Sequence, residues 1–202
     1  DVILSDGLNH ASIIDGCRLS KARALVYRHR DMNHLEDLLR KNRDAGRRLV
    51  VTDGVFSMDG DIAPLPDLVA LSAKYDAILM VDDAHATGIL GRTGRGTAEH
   101  FGLEGRVAIQ MGTLGKALGS FGAYVAGSGD LIDYLMNRSR SYIYSTALPP
   151  VVCAASIAAI TLIDQEPQRR ERLWINRERF IAGLTSLGVD TGSSETPIIP
   201  II

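Results

Sequence analysis

Three stretches of the 202-residue sequence concentrate side chains that can do chemistry. In Ile78-Leu79-Met80-Val81-Asp82-Asp83-Ala84-His85 an apolar run ends in two carboxylates and an imidazole. Open α/β sheets meet their ligands at the carboxyl ends of strands, so Asp82 and His85 stand where a ligand would be. Equally, Asp82 and Asp83 can cap the next turn and His85 satisfy a buried carbonyl. A metal centre lacks its complement, because no further His or Cys cluster completes a ligand set. In Gln110-Met111-Gly112-Thr113-Leu114-Gly115-Lys116-Ala117-Leu118-Gly119-Ser120 a lysine lies among glycines and small apolar residues. Partial desolvation would lower the pKa of such an amine and make it a nucleophile for Schiff-base chemistry. The plain alternative is an exposed lysine on a glycine turn. In Tyr144-Ser145-Thr146-Ala147-Leu148-Pro149-Pro150 two hydroxyls precede a proline-initiated helix, a place for an anion or for a simple cap.

Two phosphate-loop readings fail on spacing. A Walker A loop needs Gly where Gln110 stands and Ser or Thr where Ala117 stands. The dinucleotide pattern needs a third glycine at the position of Glu99. A carboxylate, a histidine three residues on and a lysine after a later strand do match what pyridoxal phosphate requires. The lysine bonds to it, the carboxylate keeps its ring nitrogen protonated, and a hydroxyl-rich helix terminus holds its phosphate.

The elements that must position these residues alternate in type. Strands are predicted at Val2–Ser5, Ala24–Tyr27, Arg48–Thr52, Ala77–Val81, Val107–Met111 and Ala123–Ala126, with Tyr142–Tyr144 as a further candidate. Several are continuously apolar, as a sheet covered on both faces requires. Between them, Asn33 is placed to cap a helix that carries Leu35, Leu38 and Leu39 on one face and stops by Gly46. Pro66 is suited to a first helical position, and Ser128 to a cap before Leu131. Pro149-Pro150 opens an apolar helix through Ile163 that reads as buried. Pro167 separates it from an amphipathic helix with Leu173, Phe180, Ile181, Leu184 and Leu187 on one face, ending at Gly188. The alternation predicts an α/β fold with a mostly parallel sheet. The Gly, Ser and Thr cluster from Gly188 to Thr196 reads as a linker.

Composition narrows the class. There are 22 basic and 24 acidic residues, a net charge of −2, which argues against coating a nucleic acid. No apolar run reaches the length of a membrane span. Cys17 and Cys153 lie far apart among apolar or small residues, which favours reduced core thiols and a cytoplasmic location. The sequence begins on the strand-like Asp1-Val2-Ile3-Leu4 without a methionine and stops inside a new apolar segment, Ile198 to Ile202. The expectation is a piece of a longer chain.

The sequence resembles the α-oxoamine synthase family of fold-type I pyridoxal phosphate enzymes. The resemblance is carried by Leu8-Asn9-His10-Ala11-Ser12, Thr52-Asp53-Gly54-Val55-Phe56-Ser57-Met58-Asp59-Gly60, Val81-Asp82-Asp83-Ala84-His85, Gly94-Arg95-Gly96, Thr113-Leu114-Gly115-Lys116 and Tyr144-Ser145-Thr146 followed by Pro149-Pro150. These run in order along nearly the whole chain. The resemblance implies an aspartate-aminotransferase-like large domain over residues 1–187, incomplete at its N-terminus. Residues 188–202 would be a linker and the start of a C-terminal small domain.

Residue roles follow from the same resemblance. Lys116 is similar to the lysine that bonds to the cofactor and moves the substrate α-proton. Asp82 is similar to the partner of the pyridine nitrogen, and His85 and Ser57 to residues at its phenolic oxygen. His10 is similar to the histidine stacked on the ring, although read locally it is a cap or core histidine. Thr113 is similar to a phosphate ligand from the same subunit, and Ser145 and Thr146 to phosphate ligands reaching in from the partner of a homodimer. The implied reaction is decarboxylative condensation of an amino acid with an acyl thioester. The motif wording is closest to members that join L-alanine to a pimeloyl thioester. Members that use glycine or serine, and a non-catalytic fragment, are the alternatives. The family's upstream phosphate loop and its C-terminal carboxylate-binding arginine fall outside these residues.

Overall fold

The computed structural model describes residues 1–202. Fourteen elements follow in chain order: β1 (Val2–Asp6), α1 (Ala11–Leu19), β2 (Arg23–Tyr27), α2 (Met32–Lys41), β3 (Arg48–Asp53), α3 (Leu65–Lys74), β4 (Ile78–Asp82), α4 (Thr97–His100), β5 (Ile109–Thr113), β6 (Ala123–Gly127), α5 (Gly129–Arg138), α6 (Arg140–Ile143), α7 (Pro150–Gln165) and α8 (Gln168–Ser186). The strands form one six-stranded sheet in the order β2-β1-β3-β4-β5-β6. All pairings are parallel except β5 with β6, which is antiparallel. This is the mostly parallel α/β architecture that the alternation of elements predicts.

Strand side chains alternate between the two faces of the sheet. Val2, Leu4, Val50, Leu79 and Val81 pack with Leu35 and Leu39 of α2 and Leu65 and Leu68 of α3 in the main core. On the other face Ile3 and Val51 pack with Ile13 and Cys17 of α1. With both faces covered, the ends of β3, β4 and β5 are set rigidly side by side. In register Asp53 lies opposite Asp82, and Asp82 opposite Met111.

Several local expectations shift. Tyr142 and Ile143 belong to the short helix α6 rather than a strand, and Tyr144 caps it. An aromatic and β-branched run this short does not distinguish the two states. The cap of α2 is Asp31, whose carboxylate accepts the His34 N–H at 2.8 Å, and not Asn33. That helix ends at Lys41, before Gly46. Pro66 occupies the first turn of α3, one residue after its start. Ser128 caps α5 as expected, accepting from Leu131 N–H. Helix α7 is not buried in this chain: Val151 and Ile157 are 74% and 67% exposed, and Cys153 is also exposed. Its apolar residues run round the helix, and only Ser156 is buried. Along α8, Leu173, Ile181 and Leu184 are half-buried, whereas Phe180 and Leu187 face solvent.

The segment after α8 is docked rather than loose. Thr196 is 1% exposed and donates from Oγ1 to Gly60 O at 2.8 Å. Arg177 donates to Thr196 O and Ser194 O at 2.8 and 2.7 Å. No helix is long and apolar enough to cross a membrane.

Candidate active site

Asp82 is the last residue of β4 and is 4% exposed. Its Oδ1 accepts the Ala84 N–H at 2.9 Å, so the turn-capping role foreseen for this carboxylate is real. Burial raises its pKa. The Ala84 N–H and the charges of Lys116 and His10 oppose that rise without cancelling it.

His85 follows in the same turn, and Lys116 lies in the loop after β5. Lys116 Nζ is 2.8 Å from His85 Nε2. Burial, then the charges of Lys116 and His10, hold the imidazole below its ordinary pKa. Lys116 itself is exposed, not enclosed among apolar residues as its neighbours suggest. What places it is a tight loop. Leu114 N–H donates to Gly122 O, Ser120 N–H to Leu114 O, and Gly119 N–H to Lys116 O. Thr113 anchors the same loop, donating to Gly122 O at 3.1 Å and accepting from Gly115 N–H at 3.2 Å. A cavity of about 190 Å³ opens beside His85 and Lys116, walled by Thr87, Ala117, Thr196 and Pro197.

His10 caps α1: its Nδ1 accepts from Ser12 N–H at 3.2 Å and lies 2.8 Å from Ser12 Oγ. It is near enough for its charge to act on Asp82 and His85, although its own hydrogen bonds go to Asp53 and Ser12. Because β1, β4 and β5 run parallel, His10, Asp82, His85 and Lys116 all lie at or after carboxyl ends on one side of the sheet, with His10 and Lys116 more than a hundred residues apart in sequence.

A family model for aminotransferase class I and II matches residues 1–202. The chain belongs to the aminotransferase class I and II family. It is 57% identical over 202 residues to 8-amino-7-oxononanoate synthase 1 of Bacillus subtilis, covering all of this chain and 52% of that protein. It is 58% identical over 203 residues to the 8-amino-7-oxononanoate synthase of Geobacter metallireducens, again covering 52% of it. The chain therefore spans about half the length of the curated relatives it matches. Among solved structures, a serine palmitoyltransferase from S. paucimobilis with bound PLP superposes with a TM-score of 0.95 at 34% identity. That match covers 100% of this chain and 53% of the other. The 8-amino-7-oxononanoate synthase of Francisella tularensis gives 0.81 at 33% identity, over 97% and 56%.

Within this aminotransferase-family fold, not every predicted residue joins the cluster. Ser57 is half-buried in the turn after Phe56 and makes no hydrogen bond to Lys116, Asp82 or His85. Ser145 and Thr146 are exposed between α6 and α7, and Ser145 Oγ donates to Tyr142 O at 2.9 Å. No group of His, Cys, Asp and Glu is arranged to hold a metal.

The structure adds Asp53 and gives Asp83 a partner other than the next turn. Asp53 ends β3 as Asp82 ends β4, an apolar run stopping at a carboxylate, and that shared pattern was the available signal. Asp83 is buried against α4, where Thr97 N–H and Thr97 Oγ1 both donate to its carboxylate. Burial pushes its pKa up to about 6. A Cβ on Gly54 or Gly96 would meet that carboxylate at 2.3 and 2.2 Å, so glycine is required at both contacts. A second charged cluster lies away from Lys116. His29 bridges Asp6 and Asp61 at 2.9 and 2.8 Å, edge-on to Phe56, and Arg30 reaches Asp61 and Glu195.

Proposed function

We propose that residues 1–187 are most of a pyridoxal phosphate-binding large domain and residues 188–202 the linker that leaves it. We propose further that the whole protein condenses L-alanine with a pimeloyl thioester, on CoA or a carrier protein. The products are 8-amino-7-oxononanoate, CO₂ and the free thiol, a step of biotin biosynthesis. The observation that carries the reading is the 2.8 Å contact of Lys116 Nζ with His85 Nε2, beside buried Asp82 on the neighbouring strand. The names and identities of the curated relatives favour alanine and the pimeloyl group.

The donor set fits the cofactor. Asp82 is a buried carboxylate held above its ordinary range, and a protonated ring nitrogen is the cation it lacks. Lys116 would supply the amine, His85 and Ser57 would serve the phenolic oxygen, His10 the ring and Thr113 the phosphate. When bound, the cofactor supplies an electron sink for the bond broken at the amino acid's α-carbon. Lys116 takes and returns the proton at that carbon. His85 Nε2, 2.8 Å from Lys116 Nζ, would hydrogen-bond and orient that amine. Asp82 would keep the ring nitrogen protonated.

Ser145 and Thr146 are read as phosphate ligands in a second subunit's site, in a homodimer with shared sites. Their exposure, and that of Tyr142, Tyr144, Val151 and Ile157 nearby, supports this. Both cysteines are free, which supports a cytoplasmic location.

Borohydride reduction of the full-length protein with pyridoxal phosphate, followed by peptide mapping, is expected to label Lys116. A label on another lysine overturns the assignment. Turnover is then compared for alanine, glycine and serine against pimeloyl, acetyl and palmitoyl thioesters. The alanine–pimeloyl pair is expected to dominate. A preference for serine with palmitoyl-CoA would move the protein to the activity named for its structural neighbour.

A further inference from the structure

Asp53 does more than end a strand. It is buried directly across the sheet register from Asp82. Its Oδ2 accepts the His10 N–H at 2.7 Å, and its own N–H donates to Asn9 Oδ1 at 2.8 Å. Asn9 is buried too, and its Nδ2 donates to Val51 O and Ser5 Oγ, both at 2.9 Å. Two consecutive residues of the β1–α1 loop are therefore gripped by one residue of β3. The His10 ring is fixed separately through Ser12, so backbone and ring of His10 are both held.

We propose that Asp53, together with Asn9, is a positioning residue of the active site, holding His10 on the side of the sheet that carries Asp82 and His85 through the His10 backbone N–H. The importance of His10 rests on the function proposed above; the clamp itself does not. The groups whose charges act on Asp53 are Asp82 on β4, Asp6 on β1 and Lys116 after β5. Burial pushes its pKa up to about 7, with the His10 N–H and Lys116 opposing and Asp82 and Asp6 adding. The acceptor for His10 therefore changes from neutral acid to carboxylate near neutral pH, and the bond strengthens as it does.

Two experiments on the full-length protein test this. In the cofactor-free, ¹⁵N-labelled protein the His10 amide proton is expected to move downfield as pH rises, with a midpoint near 7. Asp53→Asn, which keeps a carbonyl acceptor but cannot ionise, is expected to abolish that titration. In the enzyme loaded with pyridoxal phosphate, Asp53→Ala and His10→Ala are each expected to lower kcat/KM for the amino acid, on the order of tenfold. The double variant is expected to be no worse than His10→Ala, because the two act through one interaction. Asp53→Asn is expected to recover most of what Asp53→Ala loses. Additive losses in the double variant, or a His10 amide indifferent to pH and to Asp53→Asn, overturn the proposal. If Asp53→Ala does not fold, the amide titration decides alone. That titration also stands if the enzyme proves to use other substrates.

Discussion

Lys116 Nζ and His85 Nε2 sit 2.8 Å apart, and the proposed function makes His85 the hydrogen-bond partner of the reacting amine. His85→Ala is expected to lower kcat on the order of 100-fold, the usual scale of a lost proton-transfer partner. The basic limb of its pH–rate profile should move as well, and a profile unchanged in shape would exclude this role. Asp82→Asn keeps the oxygen that accepts the Ala84 N–H but removes the charge, so the thermal melt should be preserved while kcat collapses. Thr97 has a different duty. Thr97→Val leaves buried Asp83 short of its hydroxyl donor and should cost roughly 1–3 kcal/mol, read as a lower urea midpoint. At this scale Asp82, His85 and Lys116 stood out because each breaks an apolar or glycine-rich run. Asp53 ends an apolar run in the same way, but its partner, the His10 N–H, lies 43 residues away and is joined to it only by the fold.

The elements explain why the candidate site lies at the carboxyl ends of central strands. Strands β3, β4 and β5 all run the same way, so their chemistry-bearing ends coincide. The continuous apolar runs foretold these strands to within a residue or two. Helix ends marked by Ser128 and Pro150 were equally legible, since a cap or a fixed φ acts locally. The start of α2 was missed because two polar residues compete, and the choice depends on which carboxyl or amide reaches back to a third N–H. Asp31→Ala should therefore lower the thermal midpoint of the protein, whereas Asn33→Ala should leave it unchanged. The reverse result would return the cap to Asn33. The exposure of α7 was not legible, because hydrophobicity states that a face wants cover and not which element supplies it.

At the scale of the molecule, the charged cluster of Asp6, His29, Arg30, Asp61 and Glu195 joins the end of β1, the loop before α2, the turn before α3 and the docked C-terminal segment. Burial alone would depress His29. The hydrogen bonds and charges of Asp6 and Asp61 outweigh it and raise the pKa. A histidine raised in the folded state stabilises fully below its unfolded value, about 6.5, and the benefit fades as pH climbs through the folded value. The melting temperature should therefore fall from pH 6 to pH 9, and His29→Gln should flatten that slope. A slope unchanged by His29→Gln would remove the cluster from the account. The parallel sheet has a kinetic consequence as well. Every parallel pairing joins strands separated by a crossover, so no local hairpin can preassemble the cluster of His10, Asp82, His85 and Lys116. Non-local pairings close late and slowly. During refolding, ligand uptake at this site should trail the recovery of helical signal and serve as a clock for the final registration of β3, β4 and β5.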